Sequence, residues 1–110
     1  MIALWIISLV KLSIKPGVRF DKDSLALGRL LATLLTLDFN GEVVITAGSD
    51  GQHMIGSRHY TGQAIDIRSF NLSDPEGFRG VFERALGPKF RVLLESDHIH
   101  AQVKRGLTYP

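Results

Sequence analysis

The 110-residue chain has no cysteine. That excludes a disulfide framework and any thiolate metal site, so a metal here would have to be held by imidazole and carboxylate. It also has no run of five or six like charges: 13 Lys and Arg stand against 11 Asp and Glu, for a net charge of +2. Charge so balanced and dispersed leaves no footprint for nucleic acid, and none is expected as a partner. The mild positive bias would suit an acidic polymer. The apolar opening, residues 1–10, is far too short to cross a bilayer, and no membrane span is expected. That opening also lacks the basic start and small-residue cleavage site of an export signal, which points to cytoplasmic synthesis. Repeats, linkers and low-complexity tracts are absent as well.

What remains is an ordinary globular composition, with 45% apolar and 22% charged residues, in a length that allows one domain with one modest core. Residues 1–110 are read as that single domain, monomeric. Residues 5–15 are apolar and β-branched, then alternate Val10, Leu12 and Ile14 against Lys11, Ser13 and Lys15. This is the pattern of a half-buried strand, ended by Pro16-Gly17. Asp21, Asp23 and Ser24 offer helix-start chemistry ahead of residues 25–37, which are so rich in Leu and Ala that burial on more than one side is expected. Asn40-Gly41 marks a turn before a short central strand over 42–47. Residues 48–62 read as an irregular glycine-rich loop, and 63–68 as a strand. Asp74-Pro75 opens a second helix carrying Phe78, Val81, Phe82 and Ala85, and Gly87-Pro88 closes it. Two strands over 90–94 and 99–103 complete an α+β domain with two main helices and a mostly antiparallel sheet.

All four histidines lie in two short polar segments. His98 and His100 are two apart on an expected strand, so their rings project from one face while Ile99 and Ala101 enter the core. Asp66, between Ile65 and Ile67, faces opposite to those isoleucines on its own strand and could stand beside His59. A strand carboxylate so placed needs a partner, because burying it alone is costly. A metal is one such partner; an ion pair with Arg58 or Arg68 is the other. Three nitrogen and oxygen ligands suit zinc, and an open fourth position makes a catalytic rather than a structural site.

The run Ser57-x-His59-x-x-Gly62-x-Ala64-x-Asp66-Ile67, followed by His98-x-His100, resembles the zinc peptidase superfamily of D-alanyl-D-alanine peptidases, lysostaphin-type enzymes and hedgehog domains. It looks closest to the small carboxypeptidase and phage endolysin branch. The resemblance covers roughly residues 41–103. It implies a hedgehog-like or DD-peptidase-like fold, one zinc per chain held by His59, Asp66 and His100, and hydrolysis of a peptide bond in peptidoglycan at the cell wall. By the same resemblance Glu95 is the general base and His98 stabilises the oxyanion or orients water. Asp97 either accepts a hydrogen bond from His98 or replaces Glu95 as the base. His53 matches a place where hedgehog domains carry a histidine on the substrate side or behind the ligands. Many members place an Arg in the loop after the central strand to grip a substrate carboxylate. Residues 47–52 hold none, which leaves Arg58 and Arg68 as the basic candidates. Two rival functions are a hedgehog-like module that keeps zinc without turnover, and a phage structural or assembly protein whose histidines bind metal for stability.

Overall fold

A computed structural model of the protein describes residues 10–21, 24–37, 41–51, 53 and 56–109. The part of the first expected strand before residue 10 lies outside them. The elements run β1 (Val10–Ile14), α1 (Leu25–Thr36), β2 (Gly41–Ala47), a 3-10 turn (Arg58–Thr61), β3 (Ala64–Arg68), α2 (Pro75–Leu86), β4 (Phe90–Leu94) and β5 (His98–Val103). They build one five-stranded sheet of order β1-β2-β3-β5-β4. Three of its pairings are antiparallel, but β1 and β2 are parallel, so the sheet is mixed. The cause is α1: a helix that returns the chain to its starting end makes the next strand parallel.

The helix starts follow their capping chemistry. Ser24 Oγ accepts from the Leu27 N–H at 3.0 Å, and Asp74 Oδ1 from the Gly77 N–H at 3.0 Å, with Pro75 in the first turn of α2. Both helices contribute to one core with the sheet. Leu30 and Leu34 of α1 and Phe78 and Phe82 of α2 are fully buried with Ile45, Ile65, Ile67 and Ile99. Each such side chain contributes about 1.5–3 kcal/mol on leaving water.

Two expectations are corrected. The α1 helix buries only one face: Leu25 is 66% and Leu35 55% exposed, because among the described residues nothing covers its outer side. The glycine-rich loop is not wholly irregular either, since a full 3-10 turn forms before Gly62.

Candidate functional site

Ile65, Ile67, Ile99 and Ala101 belong to the core beneath the helices. By the two-residue period of a strand, Asp66, His98 and His100 project from the opposite face of the sheet. Pairing then sorts that face into rungs, because directly opposed residues share a side. Arg91 opposes Gln102 and Gln102 opposes Ala64; Leu93 opposes His100 and His100 opposes Asp66; His98 opposes Arg68. The middle rung carries the site.

His59 comes to this rung from the 3-10 turn. Ser57 Oγ accepts from the His59 N–H at 3.2 Å and starts the turn, and Gly62 ends it at φ 72°, a left-handed conformation suited to glycine. The Gly62 carbonyl also accepts from Ser24 Oγ at 2.8 Å, which ties the turn to the start of α1. The His59 ring is 2% exposed. Its Nδ1–H donates to the Gly48 carbonyl at 2.8 Å. A Cβ at Gly48 would run into the Arg19 carbonyl and the Phe20 ring, so the acceptor that aims His59 depends on a bare backbone.

Three donor atoms converge. His59 Nε2 lies 3.2 Å from Asp66 Oδ1 and 3.2 Å from His100 Nδ1, and His100 Nδ1 lies 2.9 Å from Asp66 Oδ1. A carbonyl can only accept, so Gly48 fixes the proton of neutral His59 on Nδ1 and leaves a lone pair on Nε2. Gln102 Oε1, 2.8 Å from His100 Nε2, does the same for His100 and leaves its lone pair on Nδ1. Three lone pairs therefore face one another, and something positive has to sit among them. Without a metal a proton fills that role. Burial raises the Asp66 pKa, yet sharing that proton in hydrogen bonding with His100 and His59 holds its carboxyl well below the usual carboxylate range. Burial lowers the His100 pKa, but its bonds to Asp66 and Gln102 outweigh that and raise it above the ordinary histidine value. A cation fits the same place. Tetrahedral zinc with ligand bonds of about 2.0–2.2 Å separates its donors by about 3.3–3.5 Å, close to the observed triangle. His53, His59 and Asp66 also each offer a donor atom within 4.8 Å of the others. His100 Nδ1, 2.9 Å from Asp66 Oδ1 and 3.2 Å from His59 Nε2, lies within the same reach.

The remaining candidates surround this triangle. His98 Nδ1 is 2.7 Å from Asp97 Oδ1, while its Nε2 lies 3.4 Å from Glu95 Oε2 and 3.9 Å from Asp66 Oδ1. Glu95 and His98 line a cleft of about 350 Å³ together with His53, His59, Asp66 and His100. Asp97 borders a different cavity, beside Arg68. His53 stacks on His59 with ring centroids 3.9 Å apart, and its Nε2 is 2.8 Å from the Asp50 carbonyl. The Tyr60 hydroxyl accepts from the His53 N–H and donates to its carbonyl.

Among the described residues Asp66 has three histidine partners and no arginine among its ion pairs. Arg58 is committed elsewhere: it donates to Gln63 Oε1 and to the carbonyls of Lys104 and Leu107, bracing the turn against the segment after β5. Arg68 lies over the Phe70 ring at 5.0 Å. Neither arginine borders the cleft, which instead has Arg91 and Arg105 in its wall. Sequence reasoning passed over Gly48, Gln102, Arg91 and Arg105. Only Gln102 carried a signal, being two residues beyond His100 on the same strand face.

The chain is thus an α+β domain whose exposed sheet face gathers a His and Asp cluster able to hold a metal ion. Comparison with protein-family models, curated proteins and solved structures finds no match to it. Among the described residues no helix is long and apolar enough to cross a membrane.

Proposed function

We propose that the protein is a zinc-dependent peptidase acting on the stem peptides of peptidoglycan, as a D,D-carboxypeptidase or an L-alanyl-D-glutamate endopeptidase. The observation that carries this reading is the meeting of His59 Nε2, Asp66 Oδ1 and His100 Nδ1 beside a cleft that also holds Glu95 and His98. The motif around these residues, with its resemblance to the D-alanyl-D-alanine peptidase superfamily, supplies the substrate class.

His59, Asp66 and His100 would hold the ion. Bound there, zinc supplies Lewis acidity, acidifying a water and polarising a carbonyl. Glu95, on the cleft side of His98 Nε2, takes the proton as water attacks and returns it to the leaving amine. His98 presents Nε2 to the cleft while Asp97 accepts from its Nδ1–H, so in its imidazolium form the ring would donate from Nε2 to the developing oxyanion. Asp97 thus serves by positioning His98, and Glu95 is favoured as the base.

A second reading has one observation in its favour. His53 is close enough to His59 and Asp66 to share their ion, and a fourth protein ligand would make a closed, structural site. Digestion of purified peptidoglycan with zinc-loaded protein separates the two. Release of new amino or carboxyl termini, identified by mass spectrometry and abolished by chelation, is the expected result. Stoichiometric zinc with no released termini from any cell-wall preparation overturns the peptidase reading and leaves the structural one.

A further inference from the structure

The metal-site cleft does not end at His100. One rung along the same face, Arg91, Gln102 and Arg105 border both that cleft and an adjoining cavity of about 450 Å³, which Lys104 completes. Among the described residues the adjoining cavity has three cations and no carboxylate in its lining. Arg91, Lys104 and Arg105 are exposed, and among the described residues none of them forms a salt bridge. The other cations by this face are engaged, Arg58 by three oxygens and Arg68 by the Phe70 ring. Like charges gathered round one cavity repel each other, and an anion between them relieves that repulsion. Guanidinium groups also match a carboxylate geometrically, offering paired N–H donors.

We propose that Arg91 and Arg105 form an anion subsite at the end of the metal-site cleft, and that the substrate is a peptide presenting a free carboxylate there. The identity of the bond cleaved rests on the peptidase reading above, whereas the binding itself needs no turnover. Neighbouring rungs on one face are about 6.6 Å apart, two residues of strand rise. An extended peptide lying along the face with its scissile amide at the middle rung therefore brings a group one or two residues away to Arg91. The bias is one-sided. On the far side of the metal rung, the cavity beside Arg68 also contains Asp66 and Asp97, which offset its cations.

Calorimetry on the zinc-loaded chain tests this with a soluble stem peptide and the same peptide with its carboxylates amidated; hydrolysis is followed in separate samples. The free acid should bind at least about 10-fold more tightly than the amidated form, the scale of charge-assisted hydrogen bonds. Arg91→Gln and Arg105→Gln should each erase most of that preference, leaving zinc content and binding of the amidated peptide unchanged. Arg84→Gln, on α2, should change nothing. Equal binding of the two peptides by the wild type, binding of neither, or a preference that survives both cleft variants overturns the subsite. Discrimination without hydrolysis upholds the subsite and counts against the peptidase reading. Hydrolysis without discrimination does the reverse.

Discussion

Asp66 and His100 are direct partners across β3 and β5, and their Oδ1 and Nδ1 atoms stand 2.9 Å apart. Backbone pairing therefore brings two of the three proposed ligands together, and only His59 has to be delivered by a turn. The ion, the proposed base, the fold and the backbone behind His59 can each be tested separately.

Metal content is the first of these. The protein purified without chelator should carry about one equivalent of zinc, as a single site requires. His59→Ala, Asp66→Ala and His100→Ala should each lose it while circular dichroism shows a folded chain. Full zinc retention by all three would show that the metal is held elsewhere.

Chemistry should separate from metal holding at Glu95. Glu95→Gln keeps size and hydrogen bonding but removes the base, so peptidoglycan hydrolysis should fall by about 10²–10⁴-fold with zinc retained. Asp97→Asn should cost less, because Asp97 does not line the cleft and meets it through its contact with His98 Nδ1. If Asp97→Asn is inactive and Glu95→Gln is normal, the two roles are exchanged.

Removing the metal should weaken the fold without abolishing it. An ion bound only by the folded state stabilises it by mass action, and verified chelation should lower the melting temperature by on the order of 10 °C. The core of Leu30, Leu34, Phe78 and Phe82 contains no ligand, so the chain should stay folded at room temperature. An unchanged melting curve would mean that His59 does not tie its turn to the sheet through metal.

Gly48→Ala tests the backbone behind His59. The added methyl meets the Arg19 carbonyl and the Phe20 ring, and overpacking of this kind costs about 1–3 kcal/mol. Zinc affinity should drop with stability as the Gly48 carbonyl shifts. Gly28→Ala makes the comparison: on the exposed side of α1 a Cβ meets nothing within 4 Å, and Ala for Gly in a helix should stabilise by about 1 kcal/mol. Equal effects of the two substitutions would remove the argument for Gly48.

Much of this arrangement was legible in the order of residues, and the reason is periodicity. Ile65, Asp66 and Ile67 alternate, as do His98, Ile99 and His100, and strand geometry converts that alternation into an apolar face and a polar one. The helix starts at Ser24 and Asp74 were readable because capping depends on residue type. Strand order was not legible, since the placing of β5 between β3 and β4 is a tertiary outcome. The parallel pairing of β1 with β2 could have been inferred from the helix between them. Gly48 escaped notice because its contribution is a carbonyl, which every residue possesses. Arg91 and Arg105 escaped because an exposed arginine resembles any other until the sheet shows which cavity it borders.

The pairing of β3 with β5 also bears on the order of folding. Residues 69–97, including all of α2 and β4, lie between the two strands. Closing so long a loop costs entropy before any contact repays it. The α2 helix and the β4–β5 hairpin are local and can form early, but neither brings Asp66 to His100. Zinc added during refolding should consequently leave the early phases unchanged and slow unfolding instead, because its ligands meet only once the sheet is nearly complete.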